Sequence, residues 1–252
     1  MKILVSNDDG IQADGIINLT KALASVAEVY VFAPDGQRSA CGHGITVTVP
    51  IEVKKAIVPY ATAAWSLSGT PADCVKLGLR ILKEEHINID YVFSGINHGS
   101  NLGTDTLYSG TVSGAIEGVI NGIPSFAVSV NSHHPEHFDG ACNLALAALK
   151  TASGKIDEGT VLNINLPHVP ASELKGVRVT RLGAREYDED FKVEIADNGD
   201  RAYRYSGTPV IYSGLSGDID VIAVQDGYAS ITPLHYDLTN HNLVERVRAW
   251  GF

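Results

Sequence analysis

Short apolar runs alternate with stretches of helical periodicity along the first two thirds of the chain, and that alternation restricts the fold most. Lys2–Ser6 is apolar through Ile3-Leu4-Val5 and then meets the polar Asn7-Asp8-Asp9-Gly10, the pattern of a strand buried on both faces. Residues 16–26 carry Ile16, Leu19, Leu23 and Val26 at helical spacing, and residues 29–33 form a second short apolar run. Residues 45–49 and 51–53 alternate as strands do, with Pro50 marking an edge or a bend. Gly69-Thr70-Pro71-Ala72-Asp73 is the clearest helix start: Thr70 at the N-cap, Pro71 at the first helical position and Asp73 in the first turn. Strands at 91–94, 125–130 and 161–165 then alternate with helices at 111–121 and 141–152. Such βαβ order predicts an α/β protein with an open, doubly wound, mostly parallel sheet.

The character changes near Arg185. From there to about residue 212 the chain is polar and charged, with Asp197-Asn198-Gly199 as a turn between two runs of strand type. A projecting hairpin is expected, and its Tyr203 and Tyr205 suit either a dimer arm or an ordinary surface ribbon. A returning strand over 227–234 and a terminal helix complete the chain, dividing it into a core over 1–184 and an arm, strand and helix over 185–252 that form one unit with it. A chain of 252 residues buries about 75% of its unfolded surface, enough for one large core.

Charge narrows the partners. Lys and Arg total 19 against 29 Asp and Glu, a formal net charge of −10, which argues against extended nucleic acid or an anionic membrane surface. A small phosphorylated ligand stays compatible with that balance. No signal-type apolar segment and no membrane-length run occurs, and Cys41, Cys74 and Cys142 form no C-x-x-C, so a cytoplasmic protein without a disulfide framework is expected.

In a doubly wound sheet, ligands bind beyond the carboxyl ends of the strands. There the first strand delivers Asp8 and Asp9, adjacent carboxylates that repel unless a cation lies between them; alone they fit a capping turn as well. The second strand leads to Arg38 and Ser39, a guanidinium and a hydroxyl, or simply a solvated loop. The Gly-rich loop from Ser94 to Gly103 brings Asn97, a neutral oxygen ligand, and Ser109-Gly110-Thr111 opens a helix whose free amides hold an anion. The convergence favours a metal-assisted phosphate site. Neither G-x-G-x-x-G nor G-x-x-x-x-G-K-[ST] is present, and Gly110-Thr111-Val112-Ser113-Gly114 has Val where a nucleophile elbow needs Ser. His133-His134-Pro135-Glu136-His137 looks like a zinc box, but Pro135 prevents the helical presentation and a solvated loop is expected.

The ordered set Asn7-Asp8-Asp9-Gly10, Arg38-Ser39, Ser68 to Val75, Ser94-Gly95-Ile96-Asn97, Asn101-Leu102-Gly103, Tyr108 to Val112 and Gly227 to Leu234 resembles the SurE family of 5′/3′-nucleotidases over nearly the whole chain. The resemblance implies a Rossmann-like core with helices on both faces, a hairpin used in a homodimer or homotetramer, and hydrolysis of nucleoside 5′- and 3′-monophosphates. It also implies one divalent cation per subunit, Mg²⁺ or Mn²⁺, held by Asp8, Asp9, Ser39 and Asn97. Phosphate falls to Asn97, Ser109, Gly110 and Thr111, and catalysis to Asp8 and Asp9. The family usually has glycine after the loop serine, where this chain has Ala40, and His98 occupies a variable position and receives no catalytic role. Two rivals are a phosphatase with a covalent intermediate on Asp8 or Ser39, and a nucleotide sensor without catalysis.

Overall fold

Residues 1–157, 159–188, 191–210 and 216–251 are described by the structure, a computed structural model. The first part of the chain runs β1 (Lys2–Ser6), α1 (Asp14–Leu23), β2 (Glu28–Pro34), β3 (Val53–Ala56), β4 (Ala63–Leu67) and α2 (Pro71–Glu84). It continues with β5 (Tyr91–His98), a 3₁₀ turn at Gly103–Leu107, α3 (Gly110–Ile120), β6 (Ser125–Asn131), α4 (Asp139–Ala152) and β7 (Thr160–Pro167). After β8 (Val177–Val179) come β9 (Tyr187–Asp188), β10 (Phe191–Ile195), β11 (Arg201–Tyr205) and β12 (Thr208–Pro209). The chain ends with α5 (Asp220–Gln225), β13 (Ala229–His235) and α6 (His241–Arg248).

Nine strands form one sheet in the order β3-β4-β2-β1-β5-β6-β7-β13-β8. The six strands from β4 to β7 are mutually parallel, whereas β3 lies antiparallel on β4 and β13 antiparallel on β7. The alternation of side chains along each strand sorts the helices onto the two faces. Ile3 and Val5 share a core with Ile16 and Leu19 of α1 and with Ala145 and Leu149 of α4. Leu4 and Phe32 turn to the opposite face and pack with Cys74, Val75 and Leu82 of α2. Val112, Ala115 and Val119 of α3 cover Ala127 and Val161 beside it. Each large side chain buried in this way contributes about 1.5–3 kcal/mol, which holds both helix layers to the sheet.

Topology then positions the site. From β1 the chain builds outward through β2 and β4, then crosses back to lay β5 on the other side of β1. The order reverses between β1 and β5, and a crevice opens there at the carboxyl ends of the strands.

Several expectations are corrected by this arrangement. Residues 45–49 form no strand: the Thr46 amide and hydroxyl are drawn to the Asp73 carboxylate, and Val47 and Val49 face solvent. The edge hairpin is instead β3 and β4, with Trp65 stacked on Phe32 at 4.4 Å. β5 runs on through Asn97 to His98, past a register break between Gly95 and Asn97. The projecting hairpin is β10 paired with β11 around a turn at Gly199 (φ +86°), with β9 and β12 paired at its base. Residues 189, 190, 211 and 212 of that predicted ribbon lie outside the described residues. Among the described residues no helix is long and apolar enough to cross a membrane.

Candidate active site at the carboxyl ends of the parallel strands

β1 pairs with β5 so that Ser6 lies opposite Ser94, and the residues following each strand emerge side by side. Asp8 is 5% exposed, and the Thr111 hydroxyl donates to its Oδ1 at 2.5 Å. Burial pushes its carboxyl up to about 6; the Thr111 hydroxyl opposes the rise, and the negative charge of Asp9 adds to it. Asp9 turns the other way, toward β5, and accepts the His98 amide at 3.0 Å. Burial raises it also, against the His98 amide and the nearby His98 and His133 rings.

Asn97 donates its amide to the Gly99 carbonyl at 2.7 Å, which leaves its own carbonyl oxygen for another partner. The Ser109 hydroxyl caps α3 by accepting the Val112 amide at 3.0 Å and keeps its proton to donate. Gly110, the first residue of α3, sits hard against Asp8: a Cβ there would lie 2.8 Å from the Asp8 Cβ and 3.0 Å from Oδ2. A side chain at position 110 would therefore displace either the carboxylate or the helix. The start of α3 is thus aimed at Asp8, through the Thr111 hydroxyl and the close approach at Gly110.

Ser39 is placed less tightly. It is exposed, and its hydroxyl accepts from Gln37 at 2.8 Å. What ties its loop to the site is the Arg38 amide, which donates to the Asp8 carbonyl at 2.7 Å. Ala40 follows with φ +54°, a left-handed conformation that costs an L-residue roughly 1–2 kcal/mol and that glycine adopts freely. The glycine usual at that position in the resembling family has a physical reason here. Thus Asp8, Asp9, Asn97, Ser109, Gly110 and Thr111 converge on the crevice, with Ser39 on the loop above it.

The oxygens suit a hard dication. Two adjacent half- or fully buried carboxylates form no ion pair with Lys or Arg among the described residues, and there the Oδ1 of the neighbouring Asn7 is buried without a hydrogen-bond partner. Carboxylate, amide and hydroxyl oxygens are the ligands Mg²⁺ and Mn²⁺ take.

The supporting residues escaped the sequence reading. Asp73, expected only as a first-turn acid, also accepts from Thr46 and clamps the loop of Ser39 onto α2. Asn101 is locked to the ends of β6 and β7 through Ser129, Asn163 and Asn165. Asp220 accepts the Gly103, Gly183 and Val221 amides and so ties the Gly-rich loop to α5; burial still raises its carboxyl. Only the turn-forming Asn and Gly residues could have signalled this scaffold, because its longest links join residues far apart in sequence, 64 positions for Asn101 to Asn165 and 117 for Gly103 to Asp220.

The family profile described as survival protein SurE matches residues 3–189. The 5′-nucleotidase SurE of Syntrophomonas wolfei subsp. wolfei is 48% identical over 250 residues, covering 98% of this chain and 94% of that protein. The 5′-nucleotidase SurE of Pelotomaculum thermopropionicum is 47% identical, again over 98% of this chain and 94% of the relative. The crystal structure of the SurE protein from Aquifex aeolicus superposes with a TM-score of 0.86 at 39% identity, covering 99% of both chains.

Proposed function

The chain belongs to the survival protein SurE family, and from that membership we propose a metal-dependent 5′-nucleotidase that hydrolyses nucleoside 5′-monophosphates, and also 3′-monophosphates, to nucleoside and phosphate. One observation carries the reading: buried Asp8 and half-buried Asp9, neither paired with a Lys or Arg among the described residues, share the switch-point crevice with Asn97 and the start of α3. Asp8, Asp9, Asn97 and Ser39 would hold one Mg²⁺ or Mn²⁺ per subunit. When bound, the dication supplies charge neutralisation at phosphate oxygens and acidifies water.

The chain's own groups do the rest. The Ser109 hydroxyl and the Gly110 amide at the start of α3 are the donors for phosphate oxygens, aided by the helix dipole. Thr111 holds Asp8 in one rotamer, and the His98 amide does the same for Asp9. Asp9, the less buried carboxylate, is the group to orient the attacking water in line with the leaving oxygen.

Through the exposed Phe191, Val193, Tyr203 and Tyr205 of its arm the chain would assemble as a homodimer or homotetramer. The three cysteines are free thiols, which suits a reducing, cytoplasmic setting. The decisive experiment strips the protein with a chelator and restores Mg²⁺, Mn²⁺ or Zn²⁺ before measuring phosphate release from a panel of nucleoside monophosphates. Release restored by a hard dication supports the proposal. Equal release without metal, a trapped phospho-enzyme, or binding without release overturns it in favour of another mechanism or a sensor.

A further inference from the structure

The His133-His134 run is absorbed by no role so far. Residues 132–138 form the loop between β6 and α4, and both histidines are exposed there. With Asp9, Ala13, Gln37 and His98 they line a cavity of about 380 Å³. It opens on the α1 side of the crevice, the side to which Asp9 turns.

On the opposite side the 39–44 loop lies close to the start of α3. Gly42 donates to the Tyr108 carbonyl at 3.0 Å, and Cys41 Sγ lies 3.0 Å from where a Cβ on Gly110 would sit, so this loop roofs the start of α3. A phosphate held at Asp9 would have this cavity beside it for its ester oxygen and whatever is attached to that oxygen. The lining suits a polyhydroxylated group: the Asp9 carboxylate, one amide, three imidazoles and a single small apolar residue. Its floor is fixed. The His98 ring lies 5.8 Å from the Phe138 ring and packs against α1 at Gly15, where a Cβ would fall 3.5 Å from Nε2. That Nε2 is buried and makes no hydrogen bond among the described residues.

We propose that this cavity takes the sugar of the substrate, and that His133 hydrogen-bonds a ribose hydroxyl and sets the preference for nucleoside monophosphates over sugarless phosphomonoesters. The inference rests on the phosphomonoesterase reading of the Asp8–Asp9 site. His133 here is a substrate-binding group, His98 a positioning residue.

The test compares wild type, His133→Ala and His133→Gln with adenosine 5′-monophosphate and with phenyl phosphate at saturating Mn²⁺. Calorimetry of adenosine binding to the chelator-stripped proteins accompanies it. In His133→Ala, kcat/KM for the nucleotide falls about tenfold, mainly through KM, while phenyl phosphate stays within about twofold. Adenosine affinity falls about tenfold as well, and His133→Gln, which keeps a donor, recovers part of both losses. Equal losses on both substrates, or no change in adenosine affinity, overturn the assignment. A wild type that hydrolyses neither substrate with any metal overturns the phosphomonoesterase reading instead, and adenosine binding still judges the cavity.

Discussion

Asp8 is buried against Thr111 and forms no ion pair among the described residues, and burial raises its carboxyl to about 6 from an ordinary 3.8. A folded value above the unfolded one means that folding favours the neutral acid. In metal-stripped protein this stabilisation is complete below about pH 4 and is lost as pH rises through about 6, a swing of about 3 kcal/mol. Asp8→Asn removes the titration while keeping the size. Chemical denaturation in chelator should therefore show the variant up to about 3 kcal/mol more stable than wild type at pH 7, with the difference closing toward pH 4. Its metal-restored turnover should fall at least about a hundredfold, the scale of a lost metal ligand. A variant that is no more stable, or as active, would remove the conflict on which the metal site rests. In sequence Asp8 and Asp9 alone fit a capping turn, and they stand out as site candidates only because other strand ends deliver polar residues to the same edge. Thr111 is legible as part of an anion-holding helix start, but its bond to Asp8 is not: it spans 103 positions and depends on how α3 docks.

At the next scale, the β10–β11 ribbon has two different faces. Register sets Phe191 opposite Tyr205 and Val193 opposite Tyr203, and with Ile195 these five share one exposed face. The other face carries Lys192, Glu194 and Arg204, with Arg204 clasping Glu194 at 2.6 Å. An isolated two-stranded ribbon is marginally stable in water, and an apolar face of this kind needs covering. The proposed assembly supplies the cover from a second copy. Val193→Lys with Tyr203→Lys should then convert the oligomer to monomer in sedimentation velocity, with the far-ultraviolet spectrum unchanged. Retained assembly would exclude this face as the interface. Turn chemistry at Asp197-Asn198-Gly199 made the hairpin legible. Periodicity misled at 45–49, where alternating Ile and Val follow a chain held by the cap of α2 rather than a ladder. It was silent at β4, where Ala63-Ala64 gives no strand signal, and at α5, six residues long and too short for a helical period.

Over the whole molecule, alternating strands and helices implied a doubly wound sheet, and the reversal between β1 and β5 located the crevice. Net charge is a property of the same scale, and it acts against the substrate. A protein of formal charge −10 repels a dianionic phosphate at long range, while the bound dication would cancel the Asp8–Asp9 pair and leave the dipole of α3 to attract at short range. The two effects differ in reach. Salt screens beyond a Debye length of about 30 Å at 10 mM but only about 10 Å at 100 mM, so added salt removes the global repulsion first and leaves the contacts in the crevice nearly intact. With metal kept saturating, kcat/KM for a nucleoside monophosphate should therefore rise by about twofold or more between these ionic strengths, with kcat nearly constant. Phenyl phosphate, a dianion of the same charge, should follow the same curve. A steep fall with salt would instead reveal a cationic face that steers substrate inward, and the acidic surface would then be no barrier to it.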